Sequence, residues 1–231
     1  MDQELDFGYK TVIKLFEHNG EQIGITTTII NTWIIMAVLI ILAIVVRSNL
    51  KWFTDVPTTK FQNIVEAIVE AFGDFTVMAM GKPNKSFAPF YGSMFIFILV
   101  SNLAGLVGLR PPTADIATTF ALSMTTFVMI QGFGLGKRGF KHIKALFEPM
   151  PLLFPLNLIG ELANPVSLGF RLFGNLIGGT IIMGLLYAAL PELLQFGFPS
   201  VLHLYFDVFS GALQTFIFVM LSMTFVSGAM E

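Results

Sequence analysis

Arg171 is the residue of this sequence that is hardest to reconcile with its surroundings, because long apolar stretches flank it on both sides. A guanidinium keeps its charge at any physiological pH. At the centre of a bilayer such a charge costs about 2.5–3.5 kcal/mol on insertion scales. Since an ionisable residue at that depth is by default a working site on an ion path, we expect Arg171 to have this role.

Small and polar residues recur around Arg171 at helical spacing. At about 100° per residue, six of them lie within about 40° of Arg171 on one helix face: Asn157, Gly160, Asn164, Ser167, Asn175 and Gly178. Glu161 lies at the edge of this face. Pro165 falls within the same stretch, and we expect it to bend or loosen one turn.

The last apolar stretch carries a second polar stripe at three- and four-residue steps: His203, Asp207, Ser210, Gly211, Gln214 and Ser222. Two antiparallel helices with one polar face each should turn those faces toward each other or toward a shared aqueous cleft. For Asn175 and Gln214 a purely structural role in interhelical hydrogen bonds, worth about 0.6 kcal/mol each, stays open. A structural hydrogen-bonding role needs no permanent charge, so it does not explain Arg171. Asp207 and Glu161 are the only carboxylates on these two faces, and a permanent pair with either would be a static ion pair. We therefore expect Arg171 to meet a carboxylate from another chain.

Composition excludes several classes of function. Hydrophobic residues make up 55% of the chain and charged residues 12%, half the share of about 25% in soluble domains, which indicates a polytopic membrane protein. A net charge of −2 without a basic arm argues against nucleic acid as a partner. With no cysteine and no phosphate loop or nucleophile elbow, we expect no catalytic site, cofactor or metal. The three histidines, His18, His142 and His203, lie in unrelated segments.

The apolar stretches predict a single all-α membrane domain with five membrane helices and one amphipathic surface helix. The stretch 59–80 repeats apolar residues at helical spacing but is interrupted by acids, so it should lie on the membrane surface. The last two membrane helices are longer than a perpendicular span and should tilt strongly. The membrane helices are predicted at 25–46, 87–109, 115–136, 150–190 and 201–229.

The loops orient the chain. Lysine and arginine collect in the loop after the first predicted helix and in the loop 137–144, which the positive-inside rule places in the cytoplasm. The acidic N-terminal segment 1–24 then lies outside and the C-terminus in the cytoplasm. Arg110 is the one loop residue that does not fit this arrangement.

The segment Glu161…Asn164-Pro-Val-Ser-Leu-Gly-Phe-Arg171-Leu-Phe-Gly-Asn175, followed by Leu213-Gln214-Thr-Phe-Ile-Phe-Val-Met-Leu221, resembles subunit a of the bacterial F-type ATP synthases. The resemblance implies a stator in the plasma (inner) membrane that faces a rotating ring of c subunits, with b subunits as the peripheral stalk of the whole complex. It also implies two offset half-channels through the lipid bilayer that lead H⁺ to the ring, and ATP chemistry on other chains. Arg171 matches the essential arginine of the family, and Asn164, Asn175, Gln214 and Glu161 match its polar and acidic positions.

Two positions depart from the family pattern. Many members carry Glu or His nine residues after the arginine, where this chain has Thr180. Many carry His or Glu seven residues before the glutamine, where this chain has Asp207, and His203 one turn earlier can share a proton with it. Because neutral oxygen ligands also suit Na⁺, the coupling ion stays open between H⁺ and Na⁺. A secondary transporter is the alternative from another class, although we find no inverted repeat.

Overall fold

The computed structural model describes residues 11–18, 21–53, 59–147, 150–191 and 197–231. Over these ranges the chain is almost entirely helical, and five helical stretches are long and apolar enough to cross a membrane. The predicted all-α polytopic fold class is therefore confirmed. The helices are α1 (Thr27–Asn49), α2 (Lys60–Met80), α3 (Ala88–Leu103), α4 (Ile116–Arg138), α5 (Phe140–Ala145), α6 (Phe154–Ala189), α7 (Phe198–His203) and α8 (Gly211–Met230).

A short hairpin precedes the first helix and was not expected from the sequence. Strands β1 (Thr11–His18) and β2 (Glu21–Thr26) pair antiparallel. Ile25, predicted to begin the first membrane helix, instead pairs with Ile13 in this hairpin. The helix begins at Thr27 because the Thr26 side chain accepts a hydrogen bond from the backbone N–H of Ile29, which caps the first turn. Of the predicted outer segment 1–24, residues 1–10, 19 and 20 lie outside the described ranges.

Helix α2 coincides with the predicted amphipathic helix to within one residue. Its acidic residues Glu66 and Glu70 are exposed. On the opposite side Phe72 packs edge-on against Phe95 of α3, and Phe75 stacks on Phe216 of α8. The C-terminal part of the apolar stripe thus packs on the bundle, whereas Ile64 and Ile68 of the same stripe are 59% and 46% exposed.

The core lies between α3, α4, α6 and α8. Its largest fully buried side chains include Tyr91 of α3, Leu172 of α6 and Phe218 of α8. The Thr126 and Ser222 hydroxyl groups hydrogen-bond at 2.8 Å between α4 and α8. Helix α1 packs on the outside of this bundle, with most of its apolar side chains exposed. Packing against α3 and α4 therefore fixes the positions of α6 and α8.

Helix α6 runs through Pro165 without interruption for 36 residues. At about 1.5 Å per residue its length is about 54 Å, well beyond a hydrocarbon core of about 30 Å. It cannot lie perpendicular to the membrane within that core. The helix begins at Phe154, later than predicted, because Pro151–Leu153 form a 3₁₀ turn; further 3₁₀ turns lie at Leu50–Trp52, Lys82–Phe87, Ala104–Val107 and Pro112–Ala114.

The last predicted helix consists of three pieces. Between α7 and α8 the residues Leu204–Ser210 form a π-helix, whose i→i+5 hydrogen bonds make a wider turn than the α-helix. The predicted stripe from His203 to Gln214 assumed an unbroken α-helix, and the π-helix interrupts that regular spacing. His203 and Asp207 line a cavity, whereas Gln214 is buried in the bundle.

Candidate functional site

Arg171 lies on the exposed face of α6. Its neighbours Leu168 and Leu172, further round the same helix, are 2% and 0% exposed and belong to the core. Within the described ranges the Arg171 guanidinium makes neither a hydrogen bond nor an ion pair. The rest of this exposed face is small or neutral: Gly160, Asn164, Ser167 and Gly174.

The glycines near Arg171 divide into two kinds. A Cβ on Gly179 would contact Phe206 of the π-helix, so Gly179 allows close packing inside the chain. A Cβ on Gly174 or Gly178 would meet nothing within 4 Å. These two glycines therefore leave the surface beside Arg171 open.

One cavity with several polar side chains in a mostly apolar wall lies on the C-terminal side of Arg171 along α6. We call it the Asp207 cavity; its volume is about 350 Å³, and its lining includes Asn102, Arg110, Leu176, Thr180, His203 and Asp207. Thr180 is exposed, and its hydroxyl donates to the Leu176 carbonyl at 3.0 Å. Three residues that the sequence singled out, Thr180, His203 and Asp207, therefore share one cavity.

A chain of hydrogen bonds leads to Asp207. His203 Nδ1 lies 2.6 Å from Asp207 Oδ2, and Tyr187 Oη lies 3.2 Å from His203 Nε2. With Asp207 ionised, Nδ1–H donates to the carboxylate, and the Tyr187 hydroxyl donates to Nε2. The pairing of His203 with Asp207 follows the spacing in the sequence, but Tyr187 was missed, although it is a hydroxyl-bearing aromatic near the end of a membrane helix.

Asn102 fixes the wall of the Asp207 cavity. Its Nδ2 donates to the Gly211 carbonyl at 3.0 Å and to Thr215 Oγ1 at 3.1 Å, and its Oδ1 accepts from the Thr113 hydroxyl at 2.7 Å. All three side chains are at most 1% exposed. Asn102 thereby ties α3 to the turn before α4 and to the first turn of α8. An amide within an apolar span was the signal for it in the sequence.

Asn175 and Gln214 have different surroundings. The Ser210 hydroxyl donates to Asn175 Oδ1 at 2.8 Å, which joins α6 to the π-helix. Gln214 is 7% exposed, and within the described residues its Nε2 has no hydrogen-bond partner. A buried donor left unpaired costs about 1–3 kcal/mol. In this conformation the donor is enclosed by the chain's own helices, so the structure gives no access to it from outside.

A second polar cavity lies on the N-terminal side of Arg171 along α6. We call it the Glu161 cavity; its volume is about 420 Å³, and its lining includes Arg138, His142, Asn157, Glu161, Asn164 and Phe225. Gln131 Nε2 donates to Glu161 Oε2 at 3.2 Å, and His142 Nε2 lies 3.1 Å from Gln131 Oε1. The sequence placed His142 in an unrelated segment, and the fold brings it next to Glu161.

Arg171 lies between the two cavities and lines neither. Thr180 follows it by nine residues and Asn164 precedes it by seven, which along an α-helix is about 13 Å and about 10 Å. A cation passing directly from one cavity to the other along α6 would have to pass the guanidinium charge. In the part of the chain that the structure describes, no group of His, Cys, Asp or Glu could hold a metal ion.

Comparison with known proteins shows the family of the chain. The chain is similar to "ATP synthase subunit a, sodium ion specific" of Propionigenium modestum, 39% identical over 89% of this chain and 74% of the relative. It is 37% identical to ATP synthase subunit a of Moorella thermoacetica, over 89% and 91% of the two chains. The identity is also 37% to that of Desulfosudis oleivorans, over 98% and 99%. The family model for the ATP synthase A chain matches residues 29–227, and the chain therefore belongs to this family.

Proposed function

We propose that this chain provides the two offset half-channels and the arginine that couple H⁺ flow to rotation of a c-subunit ring and thereby to ATP synthesis. As an ATP synthase subunit a, the chain is a membrane-embedded channel subunit and not the catalytic one. The observation that carries the proposal is Arg171, exposed and without an ion-pair partner in the described ranges, between two polar cavities. The test is replacement of Arg171 by alanine in the whole complex.

Arg171 would act through the sign of its charge. A ring carboxylate about 4 Å from the guanidinium gains about 4 kcal/mol at an effective dielectric constant near 20. In lipid, desolvation raises the pKa of that carboxyl group and keeps it loaded with its ion. Near Arg171 the attraction favours the empty, charged carboxylate, so each ring site releases its ion before it can reload.

We assign the Asp207 cavity to the outer half-channel and the Glu161 cavity to the cytoplasmic one. Arg138, in the lining of the Glu161 cavity, belongs to the basic loop 137–144, which the positive-inside rule places in the cytoplasm. The N-terminus then lies outside and the C-terminus inside the bacterial plasma membrane. The exposed face of α6 would contact the c ring, and b subunits would complete the stator.

The other residues have three roles. Tyr187, His203 and Asp207 would pass H⁺ along their hydrogen bonds toward the ring. Asn175 would hold the π-helix against α6 through Ser210. Gln214 would reach the ring carboxylate only after its side chain turns outward, because its unpaired Nε2 is buried in the bundle.

The coupling ion can be tested directly in the whole complex. We expect ATP hydrolysis to be unaffected by added Na⁺, and Na⁺ not to protect the ring carboxylates from a carbodiimide, because the outer cavity contains a hydrogen-bonded chain of titratable side chains. Stimulation together with protection would instead establish Na⁺. That alternative is supported by the name of the sodium-ion-specific relative. The detached catalytic head serves as the control for effects of Na⁺ on hydrolysis itself.

Thr180→Glu should leave the amount of assembled subunit unchanged. Thr180 is exposed and lines the Asp207 cavity, so water can solvate the new carboxylate. The matched control is Leu172→Glu on the buried face of the same helix, which should prevent assembly because it buries an unpaired charge. Subunit levels in purified complexes give the measurement. If the Thr180→Glu subunit is missing from the purified complexes, Thr180 lies at a packed site that water does not reach.

A further inference from the structure

We propose that His142 is a positioning residue for the Glu161 carboxylate and acts through the side-chain amide of Gln131. This inference rests on the proposed function of the Glu161 cavity as the cytoplasmic half-channel. The three residues come from three different helices, α4, α5 and α6. His142 and Glu161 line that cavity, and Gln131 lies behind its wall, within hydrogen-bond distance of both.

Within the described part of the chain, Gln131 supplies the only hydrogen-bonded link between His142 and Glu161, which also form an ion pair when His142 is protonated. His142 Nε2 and Glu161 Oε1 are 3.9 Å apart, too far for a hydrogen bond. Each of them lies within hydrogen-bond distance of the Gln131 amide, at 3.1 Å and 3.2 Å. The amide therefore bridges the imidazole and the carboxylate.

The chemistry of the amide fixes the direction of both hydrogen bonds. An ionised carboxylate only accepts, so the NH₂ group of Gln131 points to Glu161 and its carbonyl oxygen points to His142. That oxygen also only accepts, so His142 Nε2 carries the proton and donates it to the bridge. A protonated Glu161 could donate to a flipped amide. The orientation of the bridge therefore depends on the charge of Glu161.

Packing holds the imidazole in place. His142 is 6% exposed, and its ring lies against Gly134 of α4, where a Cβ would come within 2.6 Å of Cε1. The carboxylate of Glu161, in contrast, is 27% exposed and open to the cavity. A buried, fixed donor thus orients an acceptor that ions can reach.

The charges around the cavity indicate that the Gln131 bridge keeps Glu161 from pairing with Arg138. Arg138 lines the same cavity, at the end of α4. The α8 residues in the lining, Phe225, Gly228 and Ala229, are uncharged, and Lys141 and Lys144 of α5 are exposed. Without the bridge, Glu161 is free to turn toward Arg138, and an ion pair between them would neutralise the carboxylate that the half-channel needs.

Two substitutions of His142 separate hydrogen bonding from packing. His142→Gln keeps an N–H donor near the position of Nε2 but loses the ring, whereas His142→Phe keeps a ring against Gly134 but loses the donor. In inverted vesicles with the whole complex, we expect ATP-driven ion uptake to fall about tenfold in His142→Phe, the lower range for loss of an orienting partner. His142→Gln should restore most of it. Lys141→Gln, an exposed change on the same helix, should have no effect.

Gln131→Leu removes the bridging amide and leaves His142 in place. It should lower ATP-driven ion uptake as much as His142→Phe does. In a Glu161→Gln background, His142→Phe should cause no further loss, because no carboxylate is left to orient. All rates are normalised to the amount of subunit in the membrane, and if His142→Phe does not assemble, the result for Gln131→Leu decides. Full transport in Gln131→Leu, or loss in His142→Gln with full activity in His142→Phe, would overturn the positioning role.

These results are independent of the test of Arg171. If complexes with Arg171→Ala still couple transport to ATP, the proposed function itself is wrong. If Arg171→Ala abolishes coupling but Gln131→Leu transports normally, only the inference about His142 is wrong.

Discussion

ATP synthesis should fall to background in complexes that carry Arg171→Ala, while the complex still assembles. Arg171 is exposed and lies outside the core, so its removal creates no cavity in the bundle. The attraction of about 4 kcal/mol between guanidinium and ring carboxylate corresponds to a change of about 1,000-fold in occupancy. Its loss removes both the release of ions from the ring and the barrier between the cavities. The measurement is ATP synthesis driven by an imposed ion gradient in vesicles.

The controls for Arg171→Ala use the same helix face. Ser167→Ala lies one turn earlier, is also exposed, and should synthesise ATP normally. Arg171→Lys keeps the charge but loses the planar fork of the guanidinium, so we expect it to be strongly impaired as well. Assembled Arg171→Ala complexes that still pump ions would show that the arginine does not couple transport to rotation.

Ion uptake through the outer half-channel should slow by about 100-fold in Asp207→Asn, the lower range for loss of a positioned proton-transfer group. Asparagine can still accept a hydrogen bond from His203 Nδ1, so the local structure is preserved. It cannot take up a proton, which interrupts the chain from Tyr187 through His203. Passive ion flux through the membrane sector, measured after removal of the catalytic head, gives the rate.

The matched control for Asp207→Asn is Asp74→Asn. Asp74 is an exposed acid on α2 and lines neither cavity, so its neutralisation should not change the flux. An unchanged flux in Asp207→Asn would remove this carboxylate from the ion path. Equal losses in both variants would indicate a general effect of surface charge.

The helix content was predictable because it rests on local patterns. Hydropathy located the membrane helices, and the alternation of acids and apolar residues located α2 within one residue. The 3.6-residue period also placed Arg171, Asn164 and Ser167 on one face, and all three are exposed. Periodicity defines the faces of a helix, and this information was sufficient for α6.

The contacts within the site were less predictable because they join distant residues. Asn102 and Gly211 are 109 positions apart, and Gln131 and Glu161 are 30 apart. No pattern within a single helix identifies such partners. The π-helix Leu204–Ser210 was missed for another reason, since its hydrogen bonds shift by one residue without changing hydropathy.

The open surface at Gly174 and Gly178 has a mechanical consequence for a complex in which a ring turns against α6. Side chains that interlock across two helices hold them in one register. At these two glycines no side chain can interlock with a ring helix, which lowers the steric resistance to rotation beside the guanidinium. The α6 surface would then resist rotation of the ring mainly through the charge of Arg171.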